Sequence, residues 1–384
     1  MRALVILLAV TCAVTSSNIY LLQPVLDQVA HDFAVSEATA GLCATSTQIG
    51  YAAGILLLVP LGDRLDRRPL ILALMGLTTL ALAAAASAPN ITWLVVASAA
   101  IGLLTPVPQL VLPLGVALSG QGTGRVVGVL QAGLLTGLLA SRAYAGVLGE
   151  FAGWRQVYWC SVVLMIVTGL ALVLRLPSAP GTEPELRYGV LLRSLPGLFR
   201  DRGVAGTCLA GALVGCAFGA FWNTLSFVLT RNFGFGPAVI GLFGLVAASS
   251  AMTSPMAGRL ADRRGARTGQ VVLITTVLAG WLALLVGQGS VWWFVVGTVL
   301  LDVGVWGNQV VSQALLFSRG SAEHSRLNTL YFVTRFLGIA AGSGLGTRLW
   351  GSSGWGAVAA CGLLAAACAL PIAVRAARRE PAAV

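Results

Sequence analysis

The sequence predicts an all-α membrane protein of 12 transmembrane helices arranged as two pseudo-symmetric six-helix halves. Three observations lead there: too little charge for a water-facing surface, twelve long apolar runs, and a short charged motif that occurs once in each half. Only 10% of the 384 residues are charged, 57% are hydrophobic and the mean hydropathy is +0.87. A soluble domain carries about 25% charged residues, so a soluble globule, a nucleic-acid binder and a disordered chain are excluded. The net charge of +11 belongs to basic loops rather than to a nucleic-acid surface. All 24 basic residues are arginine.

Crossing the hydrocarbon core takes about 20 apolar residues. Runs of that kind fall near 3–30, 37–60, 69–87, 91–118, 124–149 and 155–175, then near 204–230, 237–257, 269–287, 290–317, 327–349 and 355–374. The first run starts like a secretory leader, but it stays apolar through Asn18 to Val29, so it is assigned to the first span. Between the sixth and seventh runs, 176–203 is Pro-rich and then alternates Leu and Phe with Arg, as suits a helix lying on a membrane surface. This gives an N-terminal half 1–175, a linker 176–203 and a C-terminal half 204–384. With the N-terminus inside, 19 arginines fall in cytoplasmic segments and 3 in outer loops. That bias predicts a bacterial cytoplasmic membrane protein with both termini in the cytoplasm.

The seven cysteines lie in spans with no CxxC pair and read as small buried apolar residues. His31 and His324 belong to no cluster, so no metal, cofactor or enzymatic activity is expected. A GxxxxGK[ST] phosphate loop is ruled out in a chain without lysine.

Each half carries a charged motif after its second span: Pro60-Leu61-Gly62-Asp63-Arg64-Leu65-Asp66-Arg67-Arg68, and Gly258-Arg259-Leu260-Ala261-Asp262-Arg263-Arg264-Gly265-Ala266-Arg267. The aspartates stand 199 residues apart, about half the chain. Duplication at that period is how many transporters are built. With this pair the chain resembles the major facilitator superfamily, whose loop motif is G-x-L-a-D-R-x-G-R-R. The first copy departs where Val59 replaces the opening Gly and Asp66 the inner Gly. The resemblance implies the major facilitator fold, a latch made by Asp63 with Arg67 and by Asp262 with Arg263, and a cavity lined by spans 1, 4, 7 and 10. Span 5 resembles the drug/proton antiporter branch through Gly128, Gly137 and Gly146, although Ser141-Arg142 replaces its Gly-Pro. Gly133, Gly137, Ser141, Ala145 and Gly149 form a small-residue face expected to pack on a helix of the other half.

Ionisable residues inside a bilayer are costly and are functional candidates. Asp302 near the middle of span 10, Arg335 in span 11 and Arg142 in span 5 are the proton-coupling candidates. Asp302, Trp306, Gln309 and Gln313 share one helical face, and Asn328, Tyr331 and Arg335 share another. These faces could meet, with Asp302 and Arg335 pairing either as a fixed strut or as a titrating switch. Arg142 could pair with Asp27 or hold an anionic substrate. Expected substrate contacts are Asn18, Tyr20 and Gln23 in span 1, Gln109 in span 4, Trp222 and Asn223 in span 7, and Trp306, Gln309 and Tyr331. Glu150, at a helix end, reads as ordinary interface.

A cavity of aromatics and amides suits a moderately hydrophobic small molecule. The expected activity is secondary transport by a monomer in the lipid bilayer, exporting such a compound in exchange for protons. The alternatives are a proton-coupled importer of a small organic anion clamped by Arg142 and Arg335, and a ligand sensor that does not translocate.

Overall fold

The structure, a computed structural model, describes residues 2–119, 123–179, 188–248, 265–317 and 324–377. These residues are helical apart from short turns. In chain order they form α1 (Arg2–Ser17), α2 (Leu26–Asp32), α3 (Glu37–Leu57), α4 (Leu61–Arg64), α5 (Arg67–Ala86), α6 (Ile91–Leu104), α7 (Val107–Ser119) and α8 (Thr123–Ala152). There follow α9 (Trp154–Arg175), α10 (Tyr188–Leu198), α11 (Arg202–Phe233), α12 (Pro237–Ala248), α13 (Ala266–Val286), α14 (Val291–Phe317) and α15 (His324–Ala377). The last is two helices, broken at Gly354, where φ is 73°.

The distribution of polarity is the reverse of a soluble protein's. Leu80, Leu170 and Leu174 are 68%, 61% and 83% exposed, whereas Asp302, Arg142 and Arg335 are 0%, 1% and 1% exposed. Apolar residues facing outward and ionisable ones facing inward are what a lipid solvent selects. The chain is a multi-pass membrane protein.

Two predicted spans are interrupted. Span 1 stops helically at Ser17 and resumes at Leu26 through a 3-10 turn, Gln23–Val25. The hydroxyls of Thr11, Thr15, Ser16 and Ser17 bond back to carbonyls one turn earlier, and Pro24 has no N–H to continue the ladder. Span 4 divides into α6 and α7 at Pro106 for the same reason. Side-chain caps start other helices cleanly: Ser36 accepts from Thr39 N, and Asn90 from Trp93 N at 2.9 Å.

By contacts the chain forms two compact units, Met1–Leu191 with Phe235–Leu245, and Leu192–Gly234 with Val246–Val384. In the first, Gly133 and Gly137 of α8 sit directly on the carbonyl groups of Ala9 and Ala13 in α1, and Gly149 sits on Val25. Gly133, Gly137 and Gly149 of the small-residue face therefore pack on span 1 of their own half, and the expected contact of span 5 with a helix of the segment 204–384 is made beside them. A neighbouring line is set by Gly146, which lies against Pro237 and Gly241 of α12, a helix that follows the linker in sequence but belongs to this unit. Glu150, expected to be plain interface, accepts a hydrogen bond from Ala238 N at 2.8 Å and so caps the start of α12.

The second unit repeats the device. Gly338, Gly342 and Gly346 lie against the backbone of Ala212, Cys216 and Ala220 in α11. The turn between paired helices repeats too. Gly153-Trp154 and Gly354-Trp355 each place a positive-φ glycine, 87° and 73°, before a tryptophan that is 4% exposed. Only glycine takes that conformation without strain. The internal duplication is thus visible in three features: the charged loop, the glycine seam and the Gly-Trp turn.

Near the end of α2, Asp32 pairs with Arg155 and accepts from Trp154 Nε1 at 3.0 Å, while Arg155 lies over the Trp154 ring at 4.3 Å. The guanidinium holds the Asp32 carboxyl below the usual carboxylate range. Because the pair is largely exposed, Asp32→Asn should cost no more than about 1 kcal/mol in thermal unfolding.

Candidate functional site

Polar residues gather at one interior place in each unit. In the first, Arg142 of α8 donates from Nε to Gln23 Oε1 at 2.8 Å and its guanidinium lies 4.5 Å from the centre of the Tyr20 ring. The break in span 1 makes this possible, because it turns Tyr20 and Gln23 inward where a continuous helix would place them differently. Gly244 of α12 leaves the space that the arginine stem occupies: a β-carbon there would fall 2.7 Å from Arg142 Cβ. Asn18 is buried nearby and donates from Nδ2 to the Met165 sulfur at 3.5 Å. Gln109 of α7 bonds Tyr51 of α3. Of the expected contacts in this half, Tyr20, Gln23 and Arg142 form one cluster, while Asn18 and Gln109 bond elsewhere. Asp27 lies in a cleft of about 480 Å³ with His31, Asp32 and Arg155, at the end of α2.

In the second unit, Asp302 of α14 accepts from Trp222 Nε1 of α11 at 3.1 Å. Asn223 beside it is 0% exposed. Phe218 packs 6.2 Å from Trp222 and 6.0 Å from Trp306, ring centre to ring centre. Arg335 of α15 lies 5.6 Å from the Trp306 ring centre, a cation–π contact. Tyr331, one turn before Arg335, is fully buried and rests against Gly211 of α11. The two polar faces do meet, through Trp306 with Arg335 and through Gln313 Nε2, which donates to Asn328 Oδ1 at 2.9 Å. Gln309 is half-buried on α14. Asp302 is held by Trp222, and Arg335 stacks on Trp306, one helical turn further along α14.

Four polar residues here escaped the sequence reading. Arg267 Nη1 donates to Thr207 Oγ1 at 3.0 Å and to Gln270 Oε1 at 3.3 Å, and Gln270 Nε2 donates to Ser312 Oγ at 3.2 Å. This buried line ties α11, α13 and α14 together. Arg267 had counted only as loop charge, yet it is 6% exposed. The signal was its spacing: Arg267 and Gln270 stand one turn apart at the start of span 9, so they point the same way.

Of the loop latch, Asp63 and Arg67 form an ion pair at 3.4 Å, and Arg67 Nε also donates to the Gly62 carbonyl at 3.0 Å. Asp262 and Arg263 lie outside the described residues. Asp66, the departure from the loop motif, has a role of its own. It accepts from Arg68 N at 2.8 Å, capping α5, and from Ala179 N at 3.1 Å and the Ser178 hydroxyl, fastening the start of the linker. These bonds, Ser178 first, hold its carboxyl below the usual range. A lowered folded pKa means that the fastening is present above the unfolded value of about 4 and is lost only as pH falls below it. Hydrogen exchange at Ala179 should therefore be unchanged, after correction for intrinsic rate, between pH 8 and pH 5, and several-fold faster in Asp66→Asn.

The profile of the Major Facilitator Superfamily matches residues 6–211 and again 207–384. The uncharacterized transporter YgaY of Escherichia coli O157:H7 is 34% identical over 363 residues, covering 94% of this chain and 92% of that protein. A more distant relative, the chloramphenicol resistance protein of Streptomyces lividans, is 27% identical over 375 residues, covering 95% and 88%. Among solved structures, the nucleoside transporter NupG superposes with a TM-score of 0.75 at 12% identity, over 98% of this chain and 100% of that one, a likeness of fold. Two matched repeats that together span the chain, with a 34% identical transporter along nearly its full length, fix the assignment: this is a transport protein, not an enzyme, and it belongs to the Major Facilitator Superfamily.

Proposed function

We propose that the chain is a proton-coupled exporter of a small, moderately hydrophobic organic compound, working by alternating access as a monomer in the cytoplasmic membrane of a bacterium, with both termini inside. The observation that carries this reading is Asp302, a carboxylate with 0% exposure in the middle of a span, bonded to an aromatic donor on another helix. A charge so enclosed is retained against a cost of several kcal/mol, and proton uptake is the way a carboxylate sheds that cost. Protonation weakens the acceptor that Trp222 Nε1 needs, so it loosens α11 from α14 and links the proton to helix movement. Export draws support from the glycine spacing of span 5 and from the name of the Streptomyces lividans relative.

The substrate contacts in this reading are Tyr20, Gln23 and Arg142 in one half and Trp222, Asn223, Trp306, Gln309 and Tyr331 in the other, with Asn18 and Gln109 behind the first group. Asp63 with Arg67, and Asp262 with Arg263, latch one of the alternating states.

Proteoliposomes loaded with candidate compounds test it. Imposing an inwardly directed proton gradient should drive a compound outward against its own gradient, and counterflow should persist without the proton gradient. Gradient-driven uptake in place of efflux reverses the direction of the proposal. Absence of counterflow for every compound leaves a sensor instead.

A further inference from the structure

The seven cysteines, expected to be small buried apolar residues, divide in the structure. Cys12, Cys43 and Cys208 are buried, whereas Cys160, Cys216 and Cys361 are partly exposed and Cys368 is exposed. Two of the partly exposed ones meet. The thiols of Cys216 in α11 and Cys361 in the last helix of α15 are hydrogen-bonded to each other. The packing of the two helices accounts for the meeting. A β-carbon on Gly206 of α11 would lie 3.7 Å from Ile372 Cγ2, an ordinary contact. Cys216 stands ten residues after Gly206, and Cys361 eleven residues before Ile372. Both contacts therefore belong to one antiparallel pair of helices, about 15 Å apart along it. Cys216 is also 14 residues from Arg202, where α11 begins, and Cys361 is 14 residues from Arg375 in the last turn of α15.

The face they share looks outward. Leu209, two turns before Cys216, is exposed, and so is Leu364, one turn after Cys361. Exposed leucines on a membrane span meet lipid, so the pair lies at the lipid-facing edge of the groove between the helices. Cys208 does not compete, because it is buried and turned to Thr334. Glutathione keeps thiols reduced in the cytosol, but it is charged and does not enter hydrocarbon. An apolar oxidant does.

We propose that Cys216 and Cys361 are a modification site, a redox pair that a lipid-soluble hydroperoxide converts to a disulfide joining α11 to the final helix. One sulfur attacks the outer oxygen of the hydroperoxide, the O–O bond breaks, an alcohol leaves and the sulfur becomes a sulfenic acid. The second sulfur attacks the first, the S–S bond forms and water leaves. Two thiols are oxidised and one hydroperoxide is reduced to alcohol and water. The neighbouring thiol is what stops the first at this stage, since an isolated sulfenic acid goes on to sulfinic acid. The site stands on the packing of the two helices and is independent of what is transported and in which direction.

The full chain in liposomes, treated with cumene hydroperoxide and then denatured and labelled with a maleimide, tests it. Two of the seven thiols should escape labelling, both should return with dithiothreitol, and peptide mass spectrometry should map a Cys216–Cys361 link. Cys216→Ser and Cys361→Ser should each abolish the link and the reducible loss of label. Cys208→Ser and Cys368→Ser should keep both. Oxidised glutathione, which stays in water, should leave all seven thiols open in the wild type. The unfolding midpoint before oxidation reports the folding of each variant; if a serine variant does not fold, the mapped link in the wild type decides. Full labelling after cumene hydroperoxide, a link that maps to Cys208 or Cys368, a reducible loss of two thiols in folded Cys216→Ser, or equal linking by oxidised glutathione overturns the proposal.

Discussion

Asp302→Asn should reduce proton-gradient-driven flux to the level of empty liposomes while counterflow of the same compound continues. Asparagine keeps the size of the side chain and an oxygen that can accept from Trp222 Nε1, so the helix contact at 3.1 Å survives. What is lost is the ability to exchange a proton. A uniform loss of both activities would point to damage to the fold, and the unfolding midpoint distinguishes that case. Retained gradient-driven flux would remove Asp302 as the proton carrier, and with it the observation on which the coupling mechanism stands. The opposite substitution, Asp302→Glu, should keep coupling in part, since the acid is lengthened but not removed.

The second large effect concerns stability. Gly342→Ala should destabilise the folded chain by about 1–3 kcal/mol, because the added β-carbon would strike the Cys216 carbonyl oxygen of α11. The obstacle is backbone in the middle of a helix and has nowhere to go, so the cost is met by separating two helices. Gly76→Ala is the matched control. It lies inside α5 with nothing within 4 Å of the added carbon. There the change should stabilise by up to ~1 kcal/mol, since alanine loses less freedom than glycine in a helix. Thermal unfolding of the two variants should therefore move in opposite directions. If both moved the same way, close backbone contact would not be what holds α15 to α11.

The fold was legible because its causes are local. Apolar runs long enough to span a bilayer, an arginine bias between loops and a repeated charged motif are all properties of neighbouring residues. The interruption of span 1 was half legible: Pro24 announced a weak point, but the stop at Ser17 depends on hydroxyls bonding backward, which nothing in their spacing compels. The site was legible as composition and not as pairing. Asp302 and Arg335 both stood out as costly charges, and the expectation that opposite charges meet was reasonable. The structure gives each an aromatic partner, because Trp306 sits at the level of Arg335 and Trp222 reaches Asp302 from a third helix. Contacts of that sort depend on the lateral placement of helices, which periodicity leaves open. Arg267 was missed for a related reason. A count of loop charges treats every arginine as solvated, and only the packing of α11 and α14 around the start of α13 shows that this one is enclosed.

The glycine seams divide the chain into parts that differ in the substitutions their packing admits. Where α8 meets α1, and where α15 meets α11, backbone touches backbone and no side chain stands between to be exchanged for another. Those positions tolerate almost no variation, however the substrate changes. The side chains of the interior clusters, such as Tyr20, Gln23, Arg142 and Trp306, are under no such backbone-to-backbone constraint. A lineage of this architecture can then acquire a new cargo by replacing a few interior side chains, with the framework inherited unaltered. Comparison of sequences that share the seam glycines and differ at those interior positions would sort them by what they carry.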